Sequence, residues 1–384
     1  MSPRSLKIGF ISVQDPQDRR SWSGAMYYMF HALKQHAGDV EHLPLTRTRT
    51  LRLVTRIVAK TRRIFGDHAD LTQSVPMSIA YGRHYRKSIA RSKCDVIFAP
   101  IAATEIGYLR SPVPVVYFSD ATFQAMENYY YAHTQMHPLT RWEGNHLEKR
   151  AIHRSAAVIY TSQWAARSAV EDYGADPAKI KIIPFGANVE TVHPDATLHR
   201  SSTDGKCRLL FVGRDWKRKG GQLAYDAFLA LQARGIDAEL TIIGCTPEPA
   251  ASHPQLCVIP FLNKNIPEER AALENHYRNA DIFLLPTRAE CVAIVFCEAS
   301  AYGVPIVATD TGGVSSVVVE GVNGLLLPPE ADADAYAETV AQLWQDPARY
   351  QKMRQTSRAR YDAALNWTTW AVAMRALMEQ LVSK

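Results

Sequence analysis

A regular alternation of short apolar runs and longer amphipathic segments is the feature that most constrains the fold of this chain. Most of the runs are apolar at every position and rich in β-branched residues. A strand of that kind is buried on both faces, and a helix between consecutive strands makes them parallel. The pattern therefore predicts an α/β fold of doubly wound parallel sheets. Strands are expected at 8–13, 96–99, 113–118, 158–161, 180–184, 207–212, 238–243, 256–259, 282–285, 305–308 and 324–327.

The chain length indicates more than one domain. A chain of 384 residues exceeds what one hydrophobic core usually supports. The stretch 187–206 is polar, contains proline and glycine and lacks hydrophobic periodicity, as linkers do. We therefore expect a first domain over residues 1–190, a linker over 191–206 and a second domain over 207–364. Residues 365–384 carry aromatic and aliphatic side chains at helical spacing, which predicts a packing helix that is able to cross back to the first domain.

Composition excludes several classes of protein. With 47% hydrophobic and 21% charged residues, the chain is not largely disordered. No run approaches the roughly 18 apolar residues of a membrane span, and the first residues lack the apolar core of a signal peptide. We therefore expect a cytoplasmic protein, either free or peripheral at the inner face of the membrane. The six cysteines form no C-x-x-C pair and have no zinc-like spacing, so we expect reduced structural thiols.

Charge is distributed unevenly along the chain. Residues 1–200 contain 26 Lys and Arg against 17 Asp and Glu, whereas residues 201–384 contain 18 against 21. The net charges of the two halves are therefore +9 and −3. This asymmetry indicates two units of different role, and it suggests that the first faces an anionic surface or ligand.

A basic, glycine-flanked loop is the first motif that indicates chemistry. A predicted strand ends at Val212 and Gly213, a loop with four cations follows, and Gly220 and Gly221 open a helix. Free amides at a helix start bind anions, and Arg214 and Lys219 add positive charge beside them. This arrangement predicts a diphosphate site. The alternative for a charge run is a solvated basic loop.

Two glutamates follow a later strand. Glu290 lies in the loop after the predicted strand 282–285, and Glu298 lies eight residues further on, within an apolar helix. A carboxylate in an apolar helix is costly unless it has a partner. Glu298 is therefore expected to accept hydrogen bonds from ligand hydroxyls. The alternative is a structural ion pair.

Together, Gly213-Arg214-x4-Lys219-Gly220 and Glu290-x7-Glu298, ahead of Gly303-Val304-Pro305, resemble the donor-binding half of glycosyltransferase family 4. The detailed resemblance covers about residues 207–330, and a weaker one extends to 158–162 and 182–188. The resemblance implies a retaining enzyme of GT-B fold, in which two Rossmann-like domains of doubly wound parallel sheet face each other across a cleft. It also implies that the donor is a nucleotide diphosphate sugar.

The resemblance also implies a role for each matching residue. Arg214 and Lys219 would hold the diphosphate and stabilise it as it leaves, Glu290 would contact the transferred sugar, and Glu298 would hold the ribose hydroxyls. The physical argument agrees, because a guanidinium and an ammonium fixed in a cleft stabilise a departing diphosphate without a metal. Backbone amides at the start of the Glu298 helix would add to this stabilisation. These amides belong to Val292, Ala293 and Ile294.

The chain departs from the family pattern in two places. Cys291-Val292-Ala293 stands where the family commonly has Gly-Phe-Gly, which reduces close backbone approach and leaves the sugar undetermined. Ser119 and Asp120 stand near the position of a family histidine, and either is a candidate for its acceptor-side contact. The alternative for Asp120 is an N-cap or turn carboxylate. Gly24 lies in a stretch similar to the family's first glycine-containing loop, which meets the donor phosphate.

The implied activity is the transfer of a hexose from a UDP- or GDP-sugar to a hydroxyl of a saccharide, lipid or small molecule, with retention by front-face attack. The alternatives are a nucleotide-sugar 2-epimerase of similar fold and a non-catalytic sugar-nucleotide-binding subunit. We expect no cofactor and no metal. The D-x-D motif at Asp332 and Asp334 opens a predicted helix, where acids are expected to cap the N-terminus.

Residues 47–65 form a separate feature, a predicted basic amphipathic helix. Its apolar residues fall on one arc, and Arg52, Arg56, Lys60 and Arg63 lie on the opposite side. One interpretation is contact with an anionic membrane or a lipid acceptor. The other is a helix that packs on its own domain with a solvated basic face. Nucleic acid is not an expected partner, because no base-stacking aromatic pattern accompanies the charge.

Overall fold

The chain folds into two compact units in the computed structural model, which describes residues 5–46, 48–64, 73–190, 205–248 and 252–383. The first unit consists of Met1–Ser21, Met26–Ile183 and Ala371–Lys384. The second consists of Trp22–Ala25 and Pro184–Trp370. Residues 191–204 of the predicted linker lie outside the described part of the chain.

The first unit contains a parallel sheet that is described with six strands, in the order β2-β1-β3-β4-β5-β6. The strands are β1 Lys7–Ser12, β2 Asp39–Pro44, β3 Val96–Pro100, β4 Val115–Ser119, β5 Ala157–Tyr160 and β6 Ile180–Ile182. The helices between them are α1 Ala25–His36, α2 Arg49–Ile64, α3 Val75–Ser92, α4 Ala103–Ile106, α5 Phe123–Met126, α6 Pro138–Arg154 and α7 Gln163–Glu171.

The second unit repeats this design, with six described parallel strands in the order β12-β11-β10-β7-β8-β9. The strands are β7 Cys207–Val212, β8 Ala238–Ile243, β9 Leu256–Ile259, β10 Ile282–Leu285, β11 Ile306–Thr309 and β12 Gly324–Leu327. The helices are α8 Gly221–Ala233, α9 Pro267–Asn279, α10 Ile294–Ala301, α11 Ala333–Trp344 and α12 Pro347–Ala364. A last helix, α13 Trp367–Val382, belongs by its first turn to the second unit and by the rest to the first.

Both sheets reverse their direction of growth once. In the first unit the reversal lies between β1 and β3, and in the second it lies between β7 and β10. Since parallel crossovers are right-handed, a reversal sends the helices to opposite faces of the sheet. The prediction of doubly wound parallel sheets is therefore confirmed. It also locates the point beside which ligands bind in such sheets, at the carboxyl ends of the two strands that flank the reversal.

Burial explains why most strands were recognisable. All residues of β3, β4 and β10 are buried, which matches their continuous apolar sequence. β2 is different, because it lies at an edge of the sheet and only two of its residues, Val40 and Leu43, are buried, and it was absent from the predicted strands. All six cysteines are free, and five of them are buried, whereas Cys257 is exposed.

The predicted basic helix is confirmed as α2, but its apolar arc is only partly buried. Leu51 and Val58 pack against Met77 of α3. Leu53 and Ile57 are 58% and 55% exposed, contrary to a helix that buries its whole apolar arc. No described helix of the protein is long and apolar enough to cross a membrane. Phe65 of the predicted segment lies outside the described residues.

The first unit buries carboxyl groups that have no cation as a partner among the described residues. Glu148 on α6 accepts a hydrogen bond from the hydroxyl of Tyr117, at 3.0 Å from Oε1 and 3.2 Å from Oε2. Burial raises the pKa of Glu148 to about 8 and that of Glu105 on α4 to about 7. Both groups are therefore protonated in the folded protein at pH values where the unfolded chain has lost those protons.

This burial makes stability depend on pH. The folded state holds a proton that the unfolded state lacks from pH 5 to about 7 at Glu105 and to about 8 at Glu148. The free energy of unfolding therefore falls as the pH rises, by on the order of 1 kcal/mol per pH unit for each group within its range. Glu148→Gln keeps an acceptor for Tyr117 but removes the titration. We expect it to reduce the dependence of the thermal midpoint on pH, most completely between pH 7 and 8, where Glu105 contributes little, and to raise the midpoint at pH 8.

Glu171→Gln is the matched control, since Glu171 is exposed on α7 of the same unit. It should leave the slope unchanged. A Glu148→Gln protein that keeps the slope of the parent would contradict the assignment.

Candidate functional site

The loops that follow β7 and β10 meet at the reversal of the second sheet. Their contact is made by the backbone, because the amide of Arg288 donates to the carbonyl of Arg218 at 2.7 Å. The hydroxyl of Thr287 donates to the same carbonyl at 3.2 Å. The basic loop and the loop of Glu290, which the sequence separates by some 70 residues, therefore form one surface at the carboxyl edge of the sheet.

Glycine sets the path of the basic loop. Gly220 has a φ of 71°, and a Cβ atom there would overlap the carbonyl oxygen of Pro286 in the second loop. Gly213, at the end of β7, would place a Cβ atom 2.9 Å from Cγ of Lys219. The absence of side chains at these two positions brings the loops together and leaves room for the Lys219 stem.

Lys219 and Arg218 converge on Glu290. Nζ of Lys219 donates to Oε2 of Glu290, and Nη1 of Arg218 donates to the same oxygen at 3.2 Å. Arg218 is held in place by its own loop, because its backbone amide donates to Oδ1 of Asp215 at 3.0 Å and Nη1 also donates to the carbonyl of Ala289 at 2.9 Å. Lys219 and Glu290 are both buried, at 8% and 6% exposed.

Positive charge exceeds negative charge at this surface. The segment 214–219 carries four cations and one carboxylate, Asp215, and the second loop adds one cation, Arg288, and one carboxylate, Glu290. Three positive charges therefore remain in excess. Arg214 is exposed, and its guanidinium carbon lies 5.8 Å from the centre of the Phe261 ring beyond β9. An exposed cation in the same loop as a buried pair suits a ligand with two or more negative charges.

Glu298 is buried on α10 at 1% exposure and has two partners. Nζ of Lys264 donates to Oε1 at 2.8 Å, and the hydroxyl of Tyr277 donates to Oε2 at 2.7 Å. Burial and the charge of Glu298 raise the pKa of Tyr277, so this hydroxyl remains a donor. The carboxylate thus has the structural ion pair that was the alternative for this residue. A carboxylate has about four acceptor positions, so these two bonds leave capacity for ligand hydroxyls.

The predicted amides lie at the start of α10, which begins at Ile294 after Ala293 and Val292. All three residues are buried. The glycine pair after β11 approaches the same region, because the amide of Gly313 donates to the carbonyl of Glu290 at 3.1 Å. The first amides of a helix lack partners within the helix, which makes this position suitable for an anion.

Gly24 belongs to the second unit although it follows β1 in sequence. Its segment is anchored by Asn188, whose Nδ2 donates to the carbonyl of Ser23 at 2.9 Å and whose Oδ1 accepts from Nε1 of Trp367 at 3.1 Å. Trp22 packs edge-on against Phe185, with ring centres 5.3 Å apart. Gly24 has a φ of 97°, which glycine adopts without strain.

The acceptor-side candidates lie in the first unit at the carboxyl end of β4. Ser119 is buried, and its hydroxyl donates to the carbonyl of Ala121 at 2.7 Å, so it closes its own turn. Asp120 follows and is half-buried. The short helix α5 is capped by Thr122, whose hydroxyl accepts from the amide of Ala125 at 3.1 Å. The N-cap role that was the alternative for Asp120 is therefore performed by Thr122.

The D-x-D motif caps a helix, as predicted. Oδ1 of Asp332 accepts from the amide of Ala335 at 2.9 Å at the start of α11. Asp334 pairs with Arg234, with 3.0 Å between Nη1 and Oδ1. Within the described ranges, no group of three or more His, Cys, Asp or Glu side chains is placed to hold a metal ion.

Sequence reasoning missed three side chains at these two carboxylates. Arg218 was counted in the basic loop but was given no role, and neither Lys264 nor Tyr277 was singled out. Lys264 follows β9 at the carboxyl edge of the sheet, and this position is a signal that could have identified it. Tyr277, inside α9, has no comparable signal in the sequence.

Two family models match the chain. Residues 27–191 match the model described as Glycosyltransferase Family 4, and residues 206–346 match the one described as Glycosyl transferases group 1. D-inositol 3-phosphate glycosyltransferase of Pseudarthrobacter chlorophenolicus is 31% identical over 225 residues, which cover 56% of this chain and 53% of that protein. The protein of the same name from an Arthrobacter species is 30% identical over 225 residues, covering 52% and 50%. The chain thus spans about half the length of the curated relatives it matches.

Solved structures share the architecture over almost the whole chain. Sucrose-phosphate synthase of Thermosynechococcus elongatus superposes with a TM-score of 0.69 at 17% identity, covering 98% of this chain and 99% of that one. Anabaena HepE in complex with UDP and glucose superposes with a TM-score of 0.63 at 15% identity, covering 98% and 100%. Two doubly wound parallel-sheet units with these neighbours define the GT-B fold. The chain belongs to glycosyltransferase family 4.

The close approach of Gly220 to the carbonyl oxygen of Pro286 can be tested by adding a methyl group. Gly220→Ala should displace the basic loop from Pro286 and weaken nucleoside diphosphate binding at least tenfold, because the added methyl group cannot be accommodated beside a backbone carbonyl. Titration calorimetry and a thermal melt measure the two effects.

Gly235→Ala is the matched control. Gly235 also has a positive φ, 80°, at the other end of α8, but no atom lies within 4 Å of its added Cβ. It should cost only the backbone strain, about 1–2 kcal/mol, and leave binding intact. Equal effects of the two substitutions on binding would contradict the prediction.

Proposed function

We propose that this chain is a retaining glycosyltransferase that moves a hexose from a UDP- or GDP-sugar to an acceptor hydroxyl. The observation that carries the proposal is the convergence of Lys219 and Arg218 on Glu290 at the reversal of the second sheet. A cation for phosphate and a carboxylate for sugar hydroxyls are adjacent there. In a nucleotide sugar the phosphate and the sugar are adjacent as well, because one oxygen atom joins them.

Stabilisation of the leaving group is the role proposed for Arg214 and Lys219. When the bond between the anomeric carbon and the phosphate oxygen breaks, negative charge develops on the nucleoside diphosphate. Fixed cations stabilise that charge more in the transition state than in the bound donor, which lowers the barrier. The excess of positive charge at this surface suits such a ligand, and no metal is required in this proposal.

Retention is proposed to follow from attack on the face that the diphosphate leaves. The acceptor oxygen forms a bond to the anomeric carbon as the bond to phosphate breaks, and the acceptor proton passes to the departing phosphate oxygen. No side chain then has to act as nucleophile. Glu290 would hold hydroxyls of the sugar during the transfer, and Ser119 or Asp120 of the first unit would serve the acceptor side.

The names of similar proteins support a nucleotide-sugar donor and suggest a class of acceptor. One structural neighbour was solved with UDP and glucose, and the curated relatives are named as glycosyltransferases of D-inositol 3-phosphate. We propose a UDP-hexose as the first donor to test and a phosphorylated small molecule as the first acceptor. A 2-epimerase would instead convert the nucleotide sugar without any acceptor, so a requirement for acceptor tests the proposed reaction.

Substitution of the two cations tests the leaving-group role. Arg214→Ala and Lys219→Ala should each lower kcat by about 10²-fold or more, since each removes stabilisation that grows as the diphosphate departs. Arg214→Lys should restore only part of the activity, because it lacks the guanidinium fork. Steady-state assays of the purified proteins measure these effects.

Lys217→Ala provides the control, since Lys217 is an exposed cation of the same loop. It should retain most of the activity. Near-normal turnover of Arg214→Ala or Lys219→Ala would remove the corresponding residue from the proposal.

The two glutamates are predicted to differ in which part of the donor they recognise. Glu298→Gln should weaken binding of the nucleoside diphosphate itself, whereas Glu290→Gln should mainly impair the intact donor. The distinction follows because one carboxylate is assigned to ribose and the other to the transferred sugar. Calorimetry with the nucleoside diphosphate and with the nucleotide sugar separates the two roles, and loss of diphosphate affinity in Glu290→Gln alone would reverse them.

The alternative to a small-molecule acceptor is a lipid, and the exposed side chains of α2 are the observation that favours it. Arg52, Arg56 and Lys60 form an exposed cationic ridge beside the exposed Leu53 and Ile57. Such a pair of ridges is typical of helices that lie in a membrane interface. We propose that α2 is the surface by which the protein would reach an anionic membrane.

Co-sedimentation with vesicles tests this surface. The parent protein should bind anionic vesicles at low salt and less at moderate salt, because the attraction is screened. Replacement of Arg52, Arg56 and Lys60 by Gln should abolish binding without altering donor affinity. A parent protein that stays unbound at both salt concentrations contradicts the membrane role and favours the small-molecule acceptor.

A further inference from the structure

A second polar cleft lies in the first unit, at the edge of the sheet where β4 and β5 begin. Its volume is about 330 Å³, which is within the usual range for ligand sites. Val115, the first residue of β4, is part of its lining. Ser119 ends the same strand about 13 Å away, at about 3.3 Å per residue. The cleft is therefore separate from the acceptor-side candidates.

Three cations line this cleft, and none of its lining residues is acidic. They are Arg110 in the loop after α4, Arg154 at the end of α6 and Lys179 before β6. Within the described part of the chain, none of the three forms an ion pair. No described carboxylate therefore compensates their positive charge through an ion pair.

Two of the cations are anchored to the backbone around the cleft. Nη1 of Arg154 donates to the carbonyl of Leu109 at 3.2 Å, and Nζ of Lys179 contacts the carbonyl of Ser155 at 3.4 Å. The loop that carries Arg110 is also fixed, because Arg150 lies 3.9 Å above the Tyr108 ring and its Nε donates to the carbonyl of Gly107 at 3.0 Å. Two of the three charges are therefore held at the rim of the cleft by backbone carbonyls, and the third lies in a loop that is itself fixed.

Two of the positive charges in the lining, those of Arg110 and Arg154, are close enough to affect one another. Burial lowers the pKa of Arg154, and the neighbouring Arg150 and Arg110 lower it further. Like charges held together raise the free energy of the empty cleft, and an anion that enters it relieves this repulsion. Leu109, Val113 and Val115 add an apolar lining between the cations.

We propose that this cleft is a binding site for a small phosphate ester. A phosphoryl group accepts hydrogen bonds from several cations at once and carries close to two negative charges, which suits Arg110, Arg154 and Lys179. The apolar lining would take the carbon skeleton of the ester. Inorganic phosphate shares the recognised group but lacks the part that would contact Leu109 and Val113.

Binding is tested on the full chain by calorimetry and by hydrogen–deuterium exchange. The probes are glucose 6-phosphate, as a phosphate ester of suitable size, and inorganic phosphate, each with excess UDP present to occupy the donor surface. Both probes should slow exchange at 107–115 and 153–157, and the ester should bind at least threefold more tightly. The double variant Arg110→Gln with Lys179→Gln should weaken binding of both probes at least tenfold.

The matched control is Lys87→Gln with Lys149→Gln, which removes the same charge from exposed positions of α3 and α6 outside the cleft. It should leave binding unchanged. The proposal is overturned if the parent protein binds neither probe in the millimolar range, if the control pair weakens binding as much as the cleft pair, or if protection appears at 213–221 instead. Equal affinity for phosphate and the ester would overturn the role of the apolar lining.

Discussion

The contact between Lys219 and Glu290 is the interaction on which the functional part of this structure depends. Two buried charges cost desolvation energy that their attraction repays only with good geometry, so such a pair seldom adds much stability. The geometry here is provided by Arg218, which donates to the same carboxylate oxygen and is itself fixed by Asp215 and Ala289. A surface with this much fixed charge is better explained by a ligand than by the stability of the fold.

The sheet topology determines where this contact lies. β7 and β10 are neighbours although β8 and β9 separate them in sequence, so the loops after them are adjacent at the carboxyl edge. Gly220 then allows the basic loop to lie against Pro286. Strand adjacency does not account for Lys264, because β7 and β8 lie between β9 and β10, yet its Nζ lies 2.8 Å from Oε1 of Glu298. Strand order thus positions the basic loop and the loop of Glu290, whereas the contact of Lys264 depends on the path of the chain after β9.

Much of the fold and part of the site could be predicted from the sequence. β7, β8, β9, β10 and β12 have the expected bounds, because continuous apolar runs identify strands that are buried on both faces. β2 was missed because an edge strand with only two buried residues resembles a polar loop in composition. The sequence left open whether α2 buries its apolar arc, since periodicity identifies such an arc but does not establish whether a partner covers it, and Leu53 and Ile57 are exposed.

The partners of the site residues were the least predictable part. Arg214, Lys219, Glu290 and Glu298 were predicted as site residues from spacing and from the family resemblance. The bonds from Arg218, Lys264 and Tyr277 depend on long-range packing that spacing does not encode. Glu298 is an example, because its bonds to Lys264 and Tyr277 give it a structural role in addition to the proposed contact with ribose.

The most direct test of the central claim is a comparison of nucleoside diphosphates with the corresponding monophosphates by titration calorimetry, for uridine and guanosine. If Lys219 and its neighbours form a diphosphate site, one of the diphosphates should bind at least tenfold more tightly than its monophosphate. This preference should disappear in Lys219→Ala. Equal affinities in the parent protein, or a preference that survives the substitution, would contradict the account.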